Sequence, residues 1–228
     1  MSKMLISDYD GTLKTGSNIS LQLNIRAIRK FMNGENKFVI STARGFDSIK
    51  RETNKYNIPY DYLTCNNGAI IFDNRDQIIH QKTLSMGDIE DIQMVASLEN
   101  LDVYFYDVYG QKGREDIVYG SIPVGFFYKN DHLEQLLSPL EVIKRGGHIF
   151  VKKKCNKLDG ALVLSDYLDI DDIYAVGDSV DELELLRNCN GYKMLFSDNA
   201  LNGYDIKTTT SVRSLIKKIN KDKNNFIK

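Results

Sequence analysis

The sequence predicts an α/β protein with a parallel-sheet core and a smaller α+β segment inserted into that core. Strand and helix patterns alternate in the first and last thirds of the chain, which favours right-handed crossovers between parallel strands. The middle third has the order helix, strand, strand, helix, strand, which is typical of a small antiparallel module. The 228 residues exceed one typical domain and fall short of two full ones.

The first third predicts three strands separated by two helices. The first helix is amphipathic because its apolar residues recur three and four positions apart. These residues are Leu21, Ile25, Ile28 and Met32. We expect Ser20 to cap this helix and Gly34 to end it. In chain order the elements are the strand KMLIS, the helix SLQLNIRAIRKFMNG, the strand KFVIS, the polar helix DSIKRETNKYN with Asp47 as its cap, and the strand YLTC.

The remaining elements follow from the same patterns. The middle of the chain predicts a hairpin in AIIFDNRDQIIHQ, a helix in DIEDIQMVASLE, strands in LDVYFYDV and DIVYGSIPVGFFYK, a helix in DHLEQLLSPL and a strand in HIFVKK. The last third predicts a helix in KLDGALVLSDYL, a strand in DIYAVGD, a helix in SVDELELLRNC, a strand in GYKMLF and a helix in SVRSLIKKINK.

Composition and charge argue against several classes of protein. With 42% hydrophobic and 27% charged residues, the chain resembles a soluble globular protein. The net charge of −1 provides no basic field for nucleic acid or for an anionic membrane. No apolar run approaches the roughly 18 residues needed to span a bilayer, and the N-terminus reaches an acid too early for a signal peptide. The three scattered cysteines predict a reducing, cytoplasmic setting, and the three scattered histidines predict no histidine metal site.

Two aspartates follow the first predicted strand, in the stretch MLISDYDGTLKTG. Residues two apart along a strand share a face and lie about 6.5 to 7 Å apart, so Asp8 and Asp10 can face one crevice. In open parallel sheets, ligands bind beyond the carboxyl ends of the strands. Gly11 and Thr12 form a turn whose backbone N–H groups can hold an anion. Taken alone, the two acids fit an acidic turn without a function better than they fit a site.

Three further elements carry polar residues at the same edge. Ser41 and Thr42 end the second strand, where a hydroxyl can hold a phosphoryl oxygen. Lys157 begins a helix, where the ammonium group and the helix N-terminus both favour an anion. The strand AVGD ends in Asp178, with Asp181 and Glu182 just behind it.

Several carboxylates collected in one crevice require a compensating cation, because two such charges about 4 Å apart repel by roughly 1 kcal/mol even in water. Oxygen ligands select a hard ion, so Mg²⁺ is the natural candidate for Asp8, Asp10 and Asp178. Carboxylates, a hard metal, a hydroxyl and a lysine together predict a phosphoryl-transfer site.

The order of these stretches resembles the haloacid dehalogenase (HAD) superfamily of phosphohydrolases, in particular its Cof-type branch. The matching stretches are DYDGT, STARG, NNGAIIFD, NKLDGAL, GDSVDE and DNAL, which span residues 8 to about 200. The resemblance implies a Rossmann-like parallel core at 1–83 and 152–228 and an inserted cap domain at 84–151.

The resemblance also implies roles for individual residues. Asp8 would be the nucleophile that forms an aspartyl-phosphate, and Asp10 would be the general acid and then the general base. Mg²⁺ would be bound by Asp8, Asp178 and the backbone carbonyl of Asp10, while Thr42 and Lys157 would hold the phosphate. The implied substrates are sugar phosphates and other small phosphate esters, with neither nucleic acid nor membrane as a partner. The oligomeric state is not implied.

Two positions depart from the pattern of the superfamily. Ala43 stands where a glycine is common, and Asp181-Glu182 stands where Asn-Asp is usual. Asp181 and Glu182 could therefore contact the metal directly or support the residues that do. Two alternatives to the phosphatase stay open: a phosphomutase of the same chemistry, and a sugar-phosphate sensor without turnover.

Overall fold

The computed structural model describes residues 2–123 and 132–225, which form two sheets with helices packed against them. The strands are β1 (Met4–Asp8), β2 (Lys37–Ser41), β3 (Tyr62–Cys65), β4 (Ile70–Asp73), β5 (Ile78–Gln81), β6 (Tyr104–Asp107), β7 (Ile117–Pro123), β8 (Glu141–Arg145), β9 (His148–Lys152), β10 (Ile173–Gly177), β11 (Asn190–Met194) and β12 (Lys207–Thr209). The helices are α1 (Asn18–Met32), α2 (Phe46–Tyr56), α3 (Met86–Leu98), α4 (His132–Leu136), α5 (Lys157–Leu168), α6 (Leu183–Asn188) and α7 (Val212–Asn225). Short 3₁₀ turns occupy Asn66–Gly68, Val180–Glu182 and Asn199–Gly203.

The larger sheet has the strand order β12-β11-β10-β1-β2-β3-β4-β5. The strands from β12 to β3 are parallel, and the hairpin of β4 and β5 continues the sheet in antiparallel pairing. This arrangement confirms the predicted α/β class with a mostly parallel sheet. Because β1 lies between β10 and β2, the residues that follow these three strands meet at one edge of the sheet.

Helices cover both faces of the larger sheet, so its central strands are buried on both sides. All five residues of β1 are buried. Leu5 packs in the cluster that contains α1 and α7 residues, whereas Met4 and Ile6 pack in the cluster that contains α5 and α6 residues. This alternation explains why β1 is a continuous apolar run up to Ser7 and Asp8. In the described part of the chain, no helix combines the length and the apolar character that crossing a bilayer requires.

The smaller sheet is antiparallel, with the order β6-β7-β9-β8. One face packs its apolar residues against α3 and α4 through a separate core. The opposite face carries alternate residues of the same strands, among them Tyr119 and Phe150, whose rings meet edge to face. The sheet matches the predicted inserted module, whereas the boundaries at 83/84 and 151/152 stay predictions. The last part of the predicted strand DIVYGSIPVGFFYK, residues 124–129, lies outside the described residues.

The structure corrects several local predictions. The cap of α1 is Ser17 rather than Ser20, because the Ser17 hydroxyl is the group that accepts the Ser20 backbone N–H. Gly34 is not the residue that ends this helix, which has Asn33 at its C-cap. Helix α2 begins after Gly45, so the predicted cap Asp47 lies within its first turn. The predicted helix SVDELELLRNC is divided into a 3₁₀ turn and α6.

Two strands were missed by the sequence patterns, β8 and β12. Strand β8 pairs with β9 through a turn in which Gly146 and Gly147 both have positive φ, at 58° and 76°. A Gly-Gly pair between two short apolar runs is a hairpin signal, so the sequence did contain the information for β8. Strand β12 has only three residues, and its pairing with β11 gives it the extended conformation.

The loop Asn66–Gly68 packs tightly against the beginning of α5. Gly68 has φ +93°, and a Cβ atom there would lie 2.3 Å from the carbonyl oxygen of Asn156. Gly160 approaches the same loop, since its own Cβ would lie 3.1 Å from the Gly68 Cα. Only a residue without a side chain fits this contact, which holds the loop beside the first turn of α5.

We expect Gly68→Ala to destabilise the protein, because the new Cβ both strains the backbone and collides with the Asn156 carbonyl. The matched control is Gly16→Ala, since Gly16 has φ +81° with nothing within 4 Å of its Cβ position. Gly68→Ala should cost about 1–3 kcal/mol more than the control in the free energy of unfolding, measured by urea denaturation. Equal costs for the two variants would contradict the packing role of Gly68.

Candidate active site

The ends of β1, β2 and β10 and the start of α5 surround a cleft of about 510 Å³. It brings together residues from the predicted stretches DYDGT, STARG, NKLDGAL and GDSVDE. The lining residues are Asp8, Asp10, Thr42, Ala43, Arg44, Arg145, Lys157, Ser179, Asp181 and Glu182. Within the described ranges, Arg145 is the one lining residue that comes from the smaller sheet. Most of the residues predicted to act together therefore line one cleft, whereas the predicted residues Gly11 and Asp178 are not among its lining residues.

Asp8 lies at the end of β1 and is 7% exposed. Its Oδ1 atom accepts a hydrogen bond from the Lys157 ammonium at 2.6 Å. Lys157, itself 3% exposed, also donates to Oε1 of Glu182. The second oxygen of Asp8, Oδ2, accepts no hydrogen bond from the described part of the chain. One oxygen of Asp8 is thus held by an ammonium group while the other is left for a ligand.

The electrostatic environment of Asp8 and Lys157 is dominated by burial. Burial raises the pKa of Asp8 to about 7; Lys157 opposes this shift, whereas the charges of Glu182 and Asp178 add to it. Burial alone would lower the pKa of Lys157, but Asp8 and Glu182 outweigh this effect and raise it. Lys157 therefore stays protonated, and Asp8 gains from any additional cation placed beside it.

The position of Lys157 follows from how α5 begins. Asn156 caps the helix, with its side chain accepting from the Asp159 N–H at 3.0 Å and its N–H donating to the Asp159 carboxylate at 2.9 Å. This reciprocal pair fixes the first helical residue, Lys157, at the edge of the cleft.

Both carboxylate oxygens of Glu182 accept hydrogen bonds from protein groups. Its Oε2 atom accepts hydrogen bonds from the Ser179 N–H at 2.8 Å, the Ser179 hydroxyl at 2.9 Å and the Asp178 N–H at 3.2 Å. A Cβ on residue 177 would lie 2.5 Å from the Glu182 Cγ, which explains the glycine at that position. Glu182 thereby anchors Lys157, whereas the neighbouring Asp181 is exposed at the mouth of the cleft.

Asp178 is held against the turn that follows β1. Its Oδ1 accepts a hydrogen bond from the Thr12 hydroxyl at 2.5 Å. Gly11 has φ +80°, and a Cβ there would lie 2.2 Å from the Asp178 Oδ2, so only glycine allows this approach. The Gly11 N–H donates to the Lys14 carbonyl at 3.1 Å. In this structure Gly11 therefore makes room for Asp178, and its N–H is already engaged within the turn.

Asp10 faces the cleft and is paired with Arg44. The two guanidinium nitrogens Nε and Nη2 each donate to one carboxylate oxygen at 2.7 Å. Arg44 also donates to the Ser48 hydroxyl at 3.2 Å and lies over the Tyr9 ring. Arg44 was missed at the sequence level, although it follows Thr42 by only two residues in STARG. No spacing rule predicts this pair, because it joins two loops that are 34 positions apart in sequence.

Thr42 and Ser41 lie at the end of β2, opposite Asp8. Thr42 is buried, and its hydroxyl oxygen accepts the Arg44 N–H at 3.2 Å, which leaves its own proton available to an acceptor. The Ser41 hydroxyl is buried and has no hydrogen-bond partner within the described ranges. Of the two, Thr42 lines the cleft.

The charges around the cleft favour a divalent cation. Among the described residues, the cleft together with the neighbouring Asp178 has five carboxylates and three basic side chains, Arg44, Arg145 and Lys157. When all are ionised, negative charge is therefore in excess. Residues 2–123 and 132–225 contain no cluster of three or more His, Cys, Asp or Glu side chains arranged to hold a metal. A metal here would have to be bound by the carboxylates of Asp8 and Asp178 with backbone oxygen and water, a donor set that suits Mg²⁺.

A second cavity, of about 520 Å³, adjoins the first beneath the smaller sheet. Ala43, Arg145 and Asp181 line both cavities and so mark their junction. The remaining lining residues are Gly45, Asn66, Asn67, Tyr119, Glu141, Ile143, Lys144, Phe150 and Lys152. A ligand that reaches Asp8 can therefore extend into a space bounded by aromatic, amide and charged side chains.

Comparison with known proteins places the chain among relatives of one family. A family profile described as haloacid dehalogenase-like hydrolase matches residues 5–144. Over 89 residues the chain is 36% identical to an uncharacterized protein of Mycoplasma capricolum subsp. capricolum, and that match covers 37% of this chain and 33% of the relative. The chain thus spans about a third of that relative's length.

Solved structures of low sequence identity share the fold. BT1666 from Bacteroides thetaiotaomicron, from a study of phosphatases of the haloalkanoate enzyme superfamily, has a TM-score of 0.76 at 20% identity over 96% of this chain and 94% of its own. TM0651 from Thermotoga maritima has a TM-score of 0.79 at 16% identity over 96% and 97%. The subclass IIB sugar phosphatase BT4131 has a TM-score of 0.67 at 14% identity over 96% and 98%.

We expect Asp8→Asn to stabilise the protein above neutral pH when a chelator keeps metal away. The pKa of Asp8 is about 7 in the folded chain and about 3.9 in an unfolded one, so the folded wild type loses stability as the pH rises between these values. Asparagine mimics the protonated acid. The variant should exceed the wild type in the free energy of unfolding by roughly 1 to 3 kcal/mol at pH 8.

The stabilisation should shrink as the pH is lowered from 8 to 5, because the wild-type carboxyl then becomes protonated. Urea denaturation at both pH values measures the difference. An Asp8→Asn variant that is less stable than the wild type at pH 8 would show that the Lys157 contact outweighs the cost of burying the charge.

Proposed function

The chain belongs to the haloacid dehalogenase-like hydrolases, in their Cof-type branch, and on this basis we propose that it is a Mg²⁺-dependent phosphatase of small phosphorylated metabolites. The observation that carries the proposal is the buried Asp8, with Lys157 on one oxygen, Asp178 and Thr42 on neighbouring strand ends and Asp10 two residues away. This set supplies a nucleophile, a cationic anchor for an anion, a hydroxyl donor and a second carboxyl group.

In the proposed reaction, Oδ2 of Asp8 attacks the phosphorus atom of a phosphate monoester. A bond forms between Asp8 and phosphorus while the bond to the ester oxygen breaks, and the leaving alcohol departs. Lys157 has three protons, two of which point to Asp8 and Glu182, so the third can contact a phosphoryl oxygen. The Thr42 hydroxyl can donate to another oxygen. Both contacts stabilise negative charge in the transition state.

Asp10 is proposed to protonate the leaving alcohol and then to accept a proton from the water that hydrolyses the aspartyl-phosphate. In this structure both Asp10 oxygens accept hydrogen bonds from Arg44. Asp10 therefore needs to release at least one of these bonds when it transfers a proton. Arg44 orients the carboxyl group toward the cleft and restricts its rotation in the meantime.

The proposed cofactor is Mg²⁺, which HAD superfamily hydrolases generally use. The carboxylates of Asp8 and Asp178 and the backbone carbonyl of Asp10 would bind it, with water completing the coordination. Bound there, the ion would neutralise the charge that otherwise repels an anionic ester. Glu182 accepts hydrogen bonds from Lys157 and from three donors near Asp178. This favours a role in positioning Lys157 over a role as a direct metal ligand. The proposed setting is cytoplasmic, and neither nucleic acid nor membrane is a proposed partner.

Sugar phosphates are the proposed substrates, and the likeness to the sugar phosphatase BT4131 supports this choice. The second cavity is large enough for a ring-sized leaving group and lies next to the cleft. Phosphate release in the absence of a bisphosphate activator would separate a phosphatase from a phosphomutase of the same chemistry.

We expect Asp8→Asn to lower kcat by at least about a thousandfold on para-nitrophenyl phosphate with Mg²⁺, because the amide cannot form the covalent intermediate. The matched control is Asp171→Asn, which removes an exposed carboxylate away from the cleft and should retain wild-type activity. Circular dichroism checks that both variants are folded. Turnover retained by folded Asp8→Asn protein would refute the assignment of the nucleophile.

We expect Asp178→Asn to raise the Mg²⁺ concentration needed for half-maximal activity by about tenfold or more, since one anionic ligand becomes neutral. A Mg²⁺ titration of phosphate release after treatment with a chelator gives the measurement, again with Asp171→Asn as the control. Activity that survives chelation, or an unchanged Mg²⁺ requirement in Asp178→Asn, would contradict the proposed metal site.

A further inference from the structure

The cavity beneath the smaller sheet contains polar groups that the proposed chemistry at Asp8 does not use. Asn66 is 8% exposed, and its side-chain Nδ2 has no hydrogen-bond partner among the described residues. The side-chain Oδ1 of Asn67 is likewise buried and unpaired within residues 2–123 and 132–225. Buried polar atoms without partners destabilise a fold, so their presence in a cavity wall points to a ligand.

The backbone of the same two residues is strained. Asn66 and Asn67 have φ angles of 50° and 56°, in the left-handed region that side chains rarely adopt. The conformation is held by hydrogen bonds from the Asn66 N–H to the Arg44 carbonyl at 2.9 Å and from the Asn67 N–H to the Thr42 carbonyl at 3.0 Å. These bonds tie the two amides to the loop that contains Thr42. Backbone conformations of this kind are concentrated at ligand sites, and here the two hydrogen bonds keep both amides in the wall of the cavity.

Across the cavity, the smaller sheet contributes a cation, Arg145, that has no acidic partner among residues 2–123 and 132–225. The other two basic residues of the lining are already paired, Lys152 with Glu141 at 2.5 Å and Lys144 with Glu134 at 3.6 Å. Arg145 is exposed and has no carboxylate within 4.0 Å in the described part of the chain. It lines both cavities and therefore lies at their junction.

We propose that Arg145 is a specificity-determining residue that selects phosphate esters whose leaving group is polyhydroxylated and carries a second anionic group. The exposed Arg145 guanidinium and the buried Asn66 amide N–H can both donate to acceptor oxygens of a ligand, whereas the buried Asn67 oxygen can accept a hydroxyl proton. Tyr119 and Phe150 provide apolar ring faces for a compact ring. The anionic group is a carboxylate or a phosphate, since both offer two oxygens to a guanidinium group.

This inference rests on the proposed function and names the substrate class of the same site. The experiment compares three esters that share one sugar ring and one anomeric phosphate. Glucose 1-phosphate has no second anion, glucuronic acid 1-phosphate has a carboxylate at C6, and glucose 1,6-bisphosphate has a phosphate there. Values of kcat/KM are measured for the wild type, for Arg145→Ala and for the matched control Arg114→Ala. Arg114 is an exposed arginine near the smaller sheet that lines neither cavity.

The wild type should prefer at least one of the two doubly anionic esters over glucose 1-phosphate by about tenfold or more, and the preferred one identifies the anion. Arg145→Ala should lower kcat/KM for the preferred ester by at least about tenfold more than it lowers kcat/KM for glucose 1-phosphate, which abolishes the preference. Arg114→Ala should keep the wild-type preference.

Three results would overturn the inference. If the wild type had similar kcat/KM values for all three esters, the substrate class would not include a second anionic group. An equal loss on all three esters in Arg145→Ala would place Arg145 on the transferred phosphoryl group. If Asp181→Asn also abolished the preference for a doubly anionic ester, Arg145 would act through Asp181 at the junction of the cavities and not directly on the second anionic group.

If the proposed phosphatase function is wrong, the experiment gives a different result. In that case the wild type would hydrolyse neither these esters nor para-nitrophenyl phosphate at any Mg²⁺ concentration. Calorimetric titration of the same three compounds into wild type and Arg145→Ala would then decide the inference by affinity. Tighter binding of a doubly anionic compound that depends on Arg145 would support it, and equal binding of all three would overturn it.

Discussion

The candidate site depends on one buried arrangement of charges, in which the Lys157 ammonium bridges the carboxylates of Asp8 and Glu182. These residues come from three segments that are far apart in sequence, and all three side chains are nearly excluded from solvent. Lys157 is the counter-charge of both buried carboxylates, so loss of its ammonium group would leave two buried charges uncompensated at a cost of several kcal/mol. The same contacts place a carboxylate oxygen of Asp8, a cation and two strand ends beside one cleft.

The larger sheet makes this arrangement possible through the position of β1. Because β1 lies between β2 and β10, Asp8 has Thr42 on one side and Asp178 on the other. Glycines at 11 and 177 let the carboxylates of Asp178 and Glu182 approach the backbone more closely than any side chain would allow. The positions of Asp178 and Glu182 therefore depend on local packing, since each carboxylate lies against a glycine that no larger residue could replace.

Much of the fold could be predicted from the sequence because the parallel strands are buried on both faces and bounded by helical periodicity. Helix α5 has the predicted bounds, Lys157–Leu168. Strand β12 was missed because three residues carry too little pattern, and β8 because its Gly-Gly turn was not used as a signal. The Arg44–Asp10 pair and the anchoring of Lys157 by Glu182 were also beyond prediction, because contacts between loops depend on tertiary packing rather than on spacing.

The smaller sheet adds a second wall to the candidate site. Its open face presents aromatic rings and Arg145, which has no carboxylate within 4.0 Å among the described residues, to a cavity beside the candidate cleft. In the proposed arrangement, the larger sheet positions the residues that react with the phosphoryl group, and the smaller sheet selects the leaving group. In this arrangement Arg145 lines both the cleft at Asp8 and the neighbouring cavity, so it can contact the leaving group beside the proposed reaction site.

The central claim is that the phosphoryl group is transferred to Asp8, and trapping this intermediate tests it most directly. The protein is mixed with an excess of para-nitrophenyl phosphate and Mg²⁺, quenched rapidly in acid, digested and examined by mass spectrometry. We expect one phosphorylated peptide, containing Asp8, whose modification is lost on treatment with hydroxylamine, as for an acyl phosphate. Hydrolysis of the ester without any phosphorylated protein, or with the phosphoryl group on another residue, would contradict the account.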